Sequence, residues 1–150
     1  MSASPESGFS LVRYVPTGYA PLSFSHGLDS APEFVIIKQY NSNTQSYRSQ
    51  FTILGENSNL QINSDAPVFY NAVTNNYMRT TDSEKVYVGR HNSVSNADYF
   101  YFVAYCFHSV PGYQKIGTYT GDGTSNNSIT GLGFQPRFLL TKRSSADGGG

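Results

Sequence analysis

The chain has 150 residues, enough for one compact domain, and its ten Lys plus Arg balance ten Asp plus Glu. Charged residues are only 13% and no basic cluster exists beyond Lys142-Arg143, which excludes the electrostatic footprint of a nucleic-acid binder. No apolar run approaches the ~18 residues of a membrane helix, the first residues lack the basic and apolar regions of a secretory signal, and a single Cys, Cys106, excludes an intrachain disulfide.

Aromatic residues reach 15%, with 12 Tyr, 10 Phe and no Trp, while Ser, Asn, Thr and Gly stand where charges usually do. This is the composition of an all-β domain with short strands and polar turns, in which Tyr packs its ring and leaves its hydroxyl wet. Residues 1–8 read as a flexible leader, 9–144 as a single β-sandwich, and 145–150 (Ser-Ala-Asp-Gly-Gly-Gly) as a flexible end cut from a longer protein.

Between those ends the hydrophobic period is two. Phe9–Val15 is a predicted strand, followed by the Pro/Gly loop 16–21. Leu22–His26 is a short strand, and Phe34–Gln39 is an apolar, β-branched run of the kind covered on both faces. Ser46–Leu54 alternates, with Tyr47, Phe51 and Ile53 as its large residues. Leu60–Ile62, Val68–Tyr70, Tyr77–Thr80 and Val86–Gly89 are further short strands. Tyr99–Phe107 is the strongest, apolar on both faces and therefore central in its sheet. About ten short strands at this spacing predict a β-sandwich, jelly-roll-like or lectin-like, and no helical stripe occurs.

The chain also begins its own pattern twice. Tyr14 to Lys38 recurs as Tyr119 to Lys142, with His26 the only insertion, and 8 of 24 paired positions are identical. The recurring residues include Gly18/Gly123, Gly27/Gly131, Pro32/Pro136 and Lys38/Lys142, which bracket the apolar runs Phe34-Val-Ile-Ile and Phe138-Leu-Leu-Thr. A period of this length duplicates a whole strand–loop–strand unit, with copies at 9–42 and 114–145. The second copy either joins the first in one sandwich or opens another unit.

Candidate chemistry is sparse. His26, His91 and His108 lack metal-ligand spacing. Asp122 is a single carboxylate where calcium needs several, and a tight glycine turn accounts for it. Asp82 and Glu84 are the closest carboxylate pair, the arrangement that glycan hydrolysis would need, but they sit in a polar turn. Cys106, inside an apolar strand, reads as a buried thiol. No catalytic set, metal or cofactor is expected. The aromatic excess offers one binding surface: Tyr40, Tyr47, Tyr70 and Tyr77 lie at loop edges, where ring faces suit sugars.

Four stretches carry a resemblance: Ala104–Phe107, Val110–Lys115, Gly117–Gly123 and Gly133–Arg143, together with Gly8–Gly18 and His26–Lys38 at the start. They resemble an uncharacterised domain family of marine bacteriophages and ocean metagenomes, with an "AYCF", "VPGYSK", "GSYTGNG" and "GFRPxFVxIKR" pattern. The likeness covers both ends well and residues 44–98 poorly; the family's Trp after the first Lys is missing here. It implies a non-enzymatic structural module of a virion protein, in a tail or tail fibre, that spaces or presents the host-facing appendage. Its implied partners are other domains or copies of the same virion protein, as a homo-oligomer, made in the host cytoplasm. The alternatives are a lectin-like module binding host-surface glycan and, last, a polysaccharide-degrading tailspike fragment.

Overall fold

A strand forms within each predicted period-two run up to Phe107, though Thr52–Leu54 of the run predicted over 46–54 turn as a 3-10 helix instead, and none forms after Phe107 among the described residues. The computed structural model describes residues 1–18, 20–41, 47–70, 77–95 and 100–145. In chain order the strands are β1 (Ser2–Ser4), β2 (Phe9–Tyr14), β3 (Leu22–Ser25), β4 (Phe34–Gln39) and β5 (Arg48–Phe51). They continue with β6 (Ser58–Gln61), β7 (Phe69–Tyr70), β8 (Met78–Thr81), β9 (Lys85–Val88) and β10 (Phe102–Phe107). Short 3-10 turns occupy Pro5–Ser7 and Thr52–Leu54. Ser46 and Tyr99, expected within strands, lie outside the described residues, as do 146–150 of the expected flexible end.

The strands make two antiparallel sheets, one ordered β1-β2-β10-β4-β5-β6-β7 and one ordered β3-β9-β8. The chain is an all-β sandwich. β10 lies between β2 and β4 with all six of its residues paired on both sides, Ala104 facing Val12 and Ile37. A strand so placed must be apolar on both faces, which is why 102–107 contains no charged residue.

Alternation assigns the faces. Phe102, Ala104 and Cys106 point inward and are fully buried, as are Val35 and Ile37 of β4. The small sheet covers them with Met78, Val86 and Val88, all fully buried. Tyr14 completes this core: its ring stacks on Phe24 at 4.5 Å and Phe102 at 5.3 Å, and its hydroxyl donates to the Val94 carbonyl at 2.7 Å. Burial therefore pushes the Tyr14 pKa well above the usual phenol value.

Two expectations need correction. Residues 2–7, read as a flexible leader, carry β1 and a 3-10 turn: Ser2, Ala3 and Ser4 pair with Leu11, Ser10 and Phe9, extending the large sheet by one edge strand. The turn into β2 needs Gly8, at φ +63°, because a Cβ there would collide with the His108 carbonyl and lie 2.7 Å from Val110 Cγ2.

The second correction concerns the duplicate. Residues 115–145 contain no strand, and Phe138, Leu139 and Leu140 are 81%, 65% and 47% exposed. Their counterparts in β4 are held by β10 on one side and β5 on the other, and both sides of β10 are already filled. The second copy has the strand sequence without a sheet to join. It touches the large sheet's far end, where Val68 N–H donates to the Ser144 carbonyl at 2.8 Å.

Candidate functional site

Residues of β2, β10, β4 and β5 that point away from the core form an outer face on the large sheet. A row of four phenylalanines crosses it in register. Phe9 and Phe107 rings are 5.1 Å apart, Phe107 and Phe34 are 5.5 Å apart, and Phe34 and Phe51 are 4.1 Å apart. Next along the strands come Leu11, Tyr105, Ile36 and Ser49, again mutual neighbours in register. Then come Arg13, Val103 and Lys38. A sheet face turned to water normally carries polar side chains. Here Phe9, Leu11, Tyr105, Phe107, Ile36 and Phe51 are apolar or aromatic and half-buried, Phe34 and Ser49 are buried, and the three-stranded sheet packs on the opposite face.

The cationic end of this face gathers two of the four loop-edge tyrosines. Tyr40 stacks on Tyr101 at 5.8 Å, Arg13 lies 4.7 Å over the Tyr101 ring, and Lys38 lies 4.9 Å over Tyr47. Tyr40 and Tyr47 remain 49% and 42% exposed. Arg13 and Lys38 thus already occupy ring faces on which a sugar would stack. Tyr101 and Arg13 were not among the residues singled out; extending the alternation of β10 back by one places Tyr101 on this face, but only the β2–β10 register brings Arg13 to it.

Tyr70 and Tyr77 lie elsewhere. Tyr70, on edge strand β7, donates its hydroxyl to the Leu54 carbonyl at 3.0 Å. Tyr77 packs inside the sandwich edge, 3.8 Å from the His91 ring and 5.4 Å from Phe69, with the Arg48 guanidinium 3.9 Å over its face. Arg48 is buried without a bonded carboxylate among the described residues, and burial lowers its pKa. Burial, with the charge of Arg48, lowers His91 to about 4.

The repeat-preserved residues behave differently in the two copies. Gly27 and Gly131 share a left-handed backbone, φ +70° and +77°. Gly123 also turns at φ +74°, whereas Gly18 has negative φ. Pro32 is buried and its carbonyl accepts from the Thr81 hydroxyl at 2.8 Å; Pro136 is exposed. Lys142 Nζ donates to the Ala66 carbonyl at 2.6 Å, unlike Lys38 over Tyr47.

The remaining candidates serve the fold. Asp82 Oδ1 accepts from the Glu84 and Lys85 N–H groups at 2.8 and 2.7 Å, and its Oδ2 accepts from the Tyr87 hydroxyl at 2.7 Å. That hydroxyl first, then the two amides, hold its pKa below the usual carboxylate value. Asp122 caps its own turn, accepting from Thr124 N–H and hydroxyl at 2.9 and 2.8 Å. His108 Nε2 meets Asp29 at 3.1 Å, and Glu33 accepts from the Ser109 N–H. Burial pushes the Cys106 thiol up to about 12. No group of three His, Cys, Asp or Glu that could hold a metal occurs among the described residues.

Residues 1–148 match a family described as a domain of unknown function, DUF7483. The chain belongs to that family. No curated protein and no solved structure matches it. The DUF7483 match runs through both copies of the repeat, so the sandwich and the strandless segment lie within one family-defined stretch. No helix among its described residues is long and apolar enough to cross a membrane.

Proposed function

We propose that this DUF7483 chain is a non-enzymatic structural module of a bacteriophage tail or tail-fibre protein, which spaces or presents the host-facing appendage of the virion. The observation that carries the reading is the exposed duplicate. Three consecutive large apolar residues, Phe138, Leu139 and Leu140, stand in water within a segment that repeats the largely buried strand β4. Apolar surface of that kind marks a site of association, and duplicated units that bury it against neighbours are how modular arrays are built. The sequence resemblance supplies the biological setting. Mass spectrometry of purified virions from the encoding phage tests it: the chain's peptides should be found in the tail fraction, and their absence from virions overturns the proposal.

A glycan-binding, lectin-like role is the second reading. It is favoured by the convergence of Tyr40, Tyr47 and Tyr101 with Arg13 and Lys38 at one end of one sheet face. On a glycan array, saturable binding that disappears in Tyr40→Ala and Tyr47→Ala would raise it above the first. An array without binding retires it.

A further inference from the structure

The apolar positions that the repeat preserves are covered in the first copy and open in the second. Tyr14 is 8% exposed, and its counterpart Tyr119 is 53% exposed. Phe24 packs against the core, whereas its counterpart Ile129 is 37% exposed. Val35 is fully buried, and its counterpart Leu139 is 65% exposed. The hydrogen bonds that hold the end of the duplicate to the first sandwich, Val68 N–H to Ser144 and Lys142 Nζ to Ala66, leave Phe138, Leu139 and Leu140 open.

Strand order says what is missing. The segments that recur are those of β2, β3 and β4, and in the first copy these three never pair with one another. β2 and β4 meet through β10, which lies between them, and β3 pairs with β9. Three such segments have no ladder to form among themselves, so their backbone groups stay with water however strong their period. The first sandwich cannot lend the missing strands. β10 is taken on both edges by β2 and β4, and β9 by β3 and β8.

We propose that residues 115–145 open a second sandwich, and that the surface they expose takes the complementary part of another unit of this family. That part is a β10-type strand, apolar on both faces, with a β8–β9-type hairpin packed over it. The inference deepens the modular reading above and rests on it. The first copy supplies the register. Phe107, Cys106 and Tyr105 face Phe34, Val35 and Ile36, so their equivalents in the partner strand face Phe138, Leu139 and Leu140. The partner's equivalent of Phe102 stacks on Tyr119, as Phe102 does on Tyr14 at 5.3 Å. A folded second copy of the chain offers no such strand, because its own β10 is closed on both sides.

Gly150 aligns with Ser46 in the repeat, so the full chain extended after Gly150 by a second copy of residues 47–115 carries every segment of two sandwiches. Hydrogen exchange read by mass spectrometry tests the proposal on the segment 136–143, which occurs once in that chain. Its amides should exchange at least about a hundred-fold more slowly than in the unextended chain, approaching β4. Ala104→Glu in the appended copy alone should return them to the fast rate while β4 stays protected. A control with residues 10–41 in place of 115–145 holds two identical units, and both of its β4 strands should be protected. Fast exchange at 136–143 in the extended chain overturns the proposal, as does protection that survives Ala104→Glu. A control protected in one unit alone also overturns it, because the sandwich would then not repeat in tandem. Protection already present in the unextended chain would place the partner within the chain, or in a second copy if it grows with concentration, and either result overturns the proposal. Exchange is read without reference to virions. A chain missing from virions would sink the tail assignment and leave this result standing, and an uncovered duplicate here would leave the tail assignment untouched.

Discussion

His26 fastens the turn after β3 to the backbone of Asp82. Its Nδ1 accepts from the Leu28 N–H at 3.1 Å, which leaves the ring proton on Nε2 to donate to the Asp82 carbonyl, also at 3.1 Å. The ring is fully buried, and it is the one residue that the second copy lacks. His26→Ala leaves a cavity and an unbonded amide, and should cost about 2–3 kcal/mol. Chemical denaturation of the two proteins checks this; a loss below about 0.5 kcal/mol would mean that the small sheet closes without the histidine.

Phe34 and Phe138 are the same residue of the repeat in opposite surroundings, 7% and 81% exposed. Phe34→Ala removes a ring stacked between Phe51 and Phe107 and should cost about 3 kcal/mol, toward the low end for large-to-small changes in a core. Phe138→Ala should change monomer stability by no more than about 0.5 kcal/mol. Equal effects in thermal unfolding would show that the duplicate packs into the same sandwich after all.

Acid should loosen the sandwich edge before it reaches the carboxylates. His91 has its pKa lowered from 6.5 to about 4, so the unfolded chain binds the proton more readily than the folded one. Stability from this group is present above about pH 6.5 and is lost as pH falls toward 4. Solvent screening limits the loss to about 1 kcal/mol. Unfolding free energies measured across that window should slope downward with acidity in the wild type and flatten in His91→Gln. Asp82 and Asp122, both held below 3.8, lose their contributions only at lower pH.

Gly8→Ala should be more harmful than any substitution of the glycines in the duplicate. The new Cβ meets the His108 carbonyl and Val110 at a left-handed backbone, and together these should cost about 3 kcal/mol. Gly117→Ala and Gly121→Ala, with nothing within 4 Å of the added methyl, should be near neutral. Differential scanning calorimetry of the three variants gives the comparison directly.

Much of the strand map was legible because alternation and turn residues act locally. Phe34–Gln39 forms its strand over the predicted span, and Asp82 and Asp122 make the turns their spacing suggests. The candidate surface was legible only in pieces. Tyr40 and Tyr47 could be named from their place at loop edges, but Tyr77 looks the same in sequence and packs inward under Arg48. The outer face itself was not legible, because Phe9, Phe107, Phe34 and Phe51 come from four separate stretches of the chain and meet only through strand order.

The repeat draws the boundary most clearly. By itself the sequence determined that Phe34-Val-Ile-Ile and Phe138-Leu-Leu-Thr are both apolar β segments opened by a proline and closed by a lysine, and that a recurring glycine precedes each, which the structure shows to be left-handed in both copies. Those are local properties of side-chain period and backbone sterics, and they survive in both copies. Only the tertiary structure decided which copy becomes a strand. A strand's hydrogen bonds and its burial come from its neighbours, and β10 has two edges, both taken by the time the chain reaches Pro136.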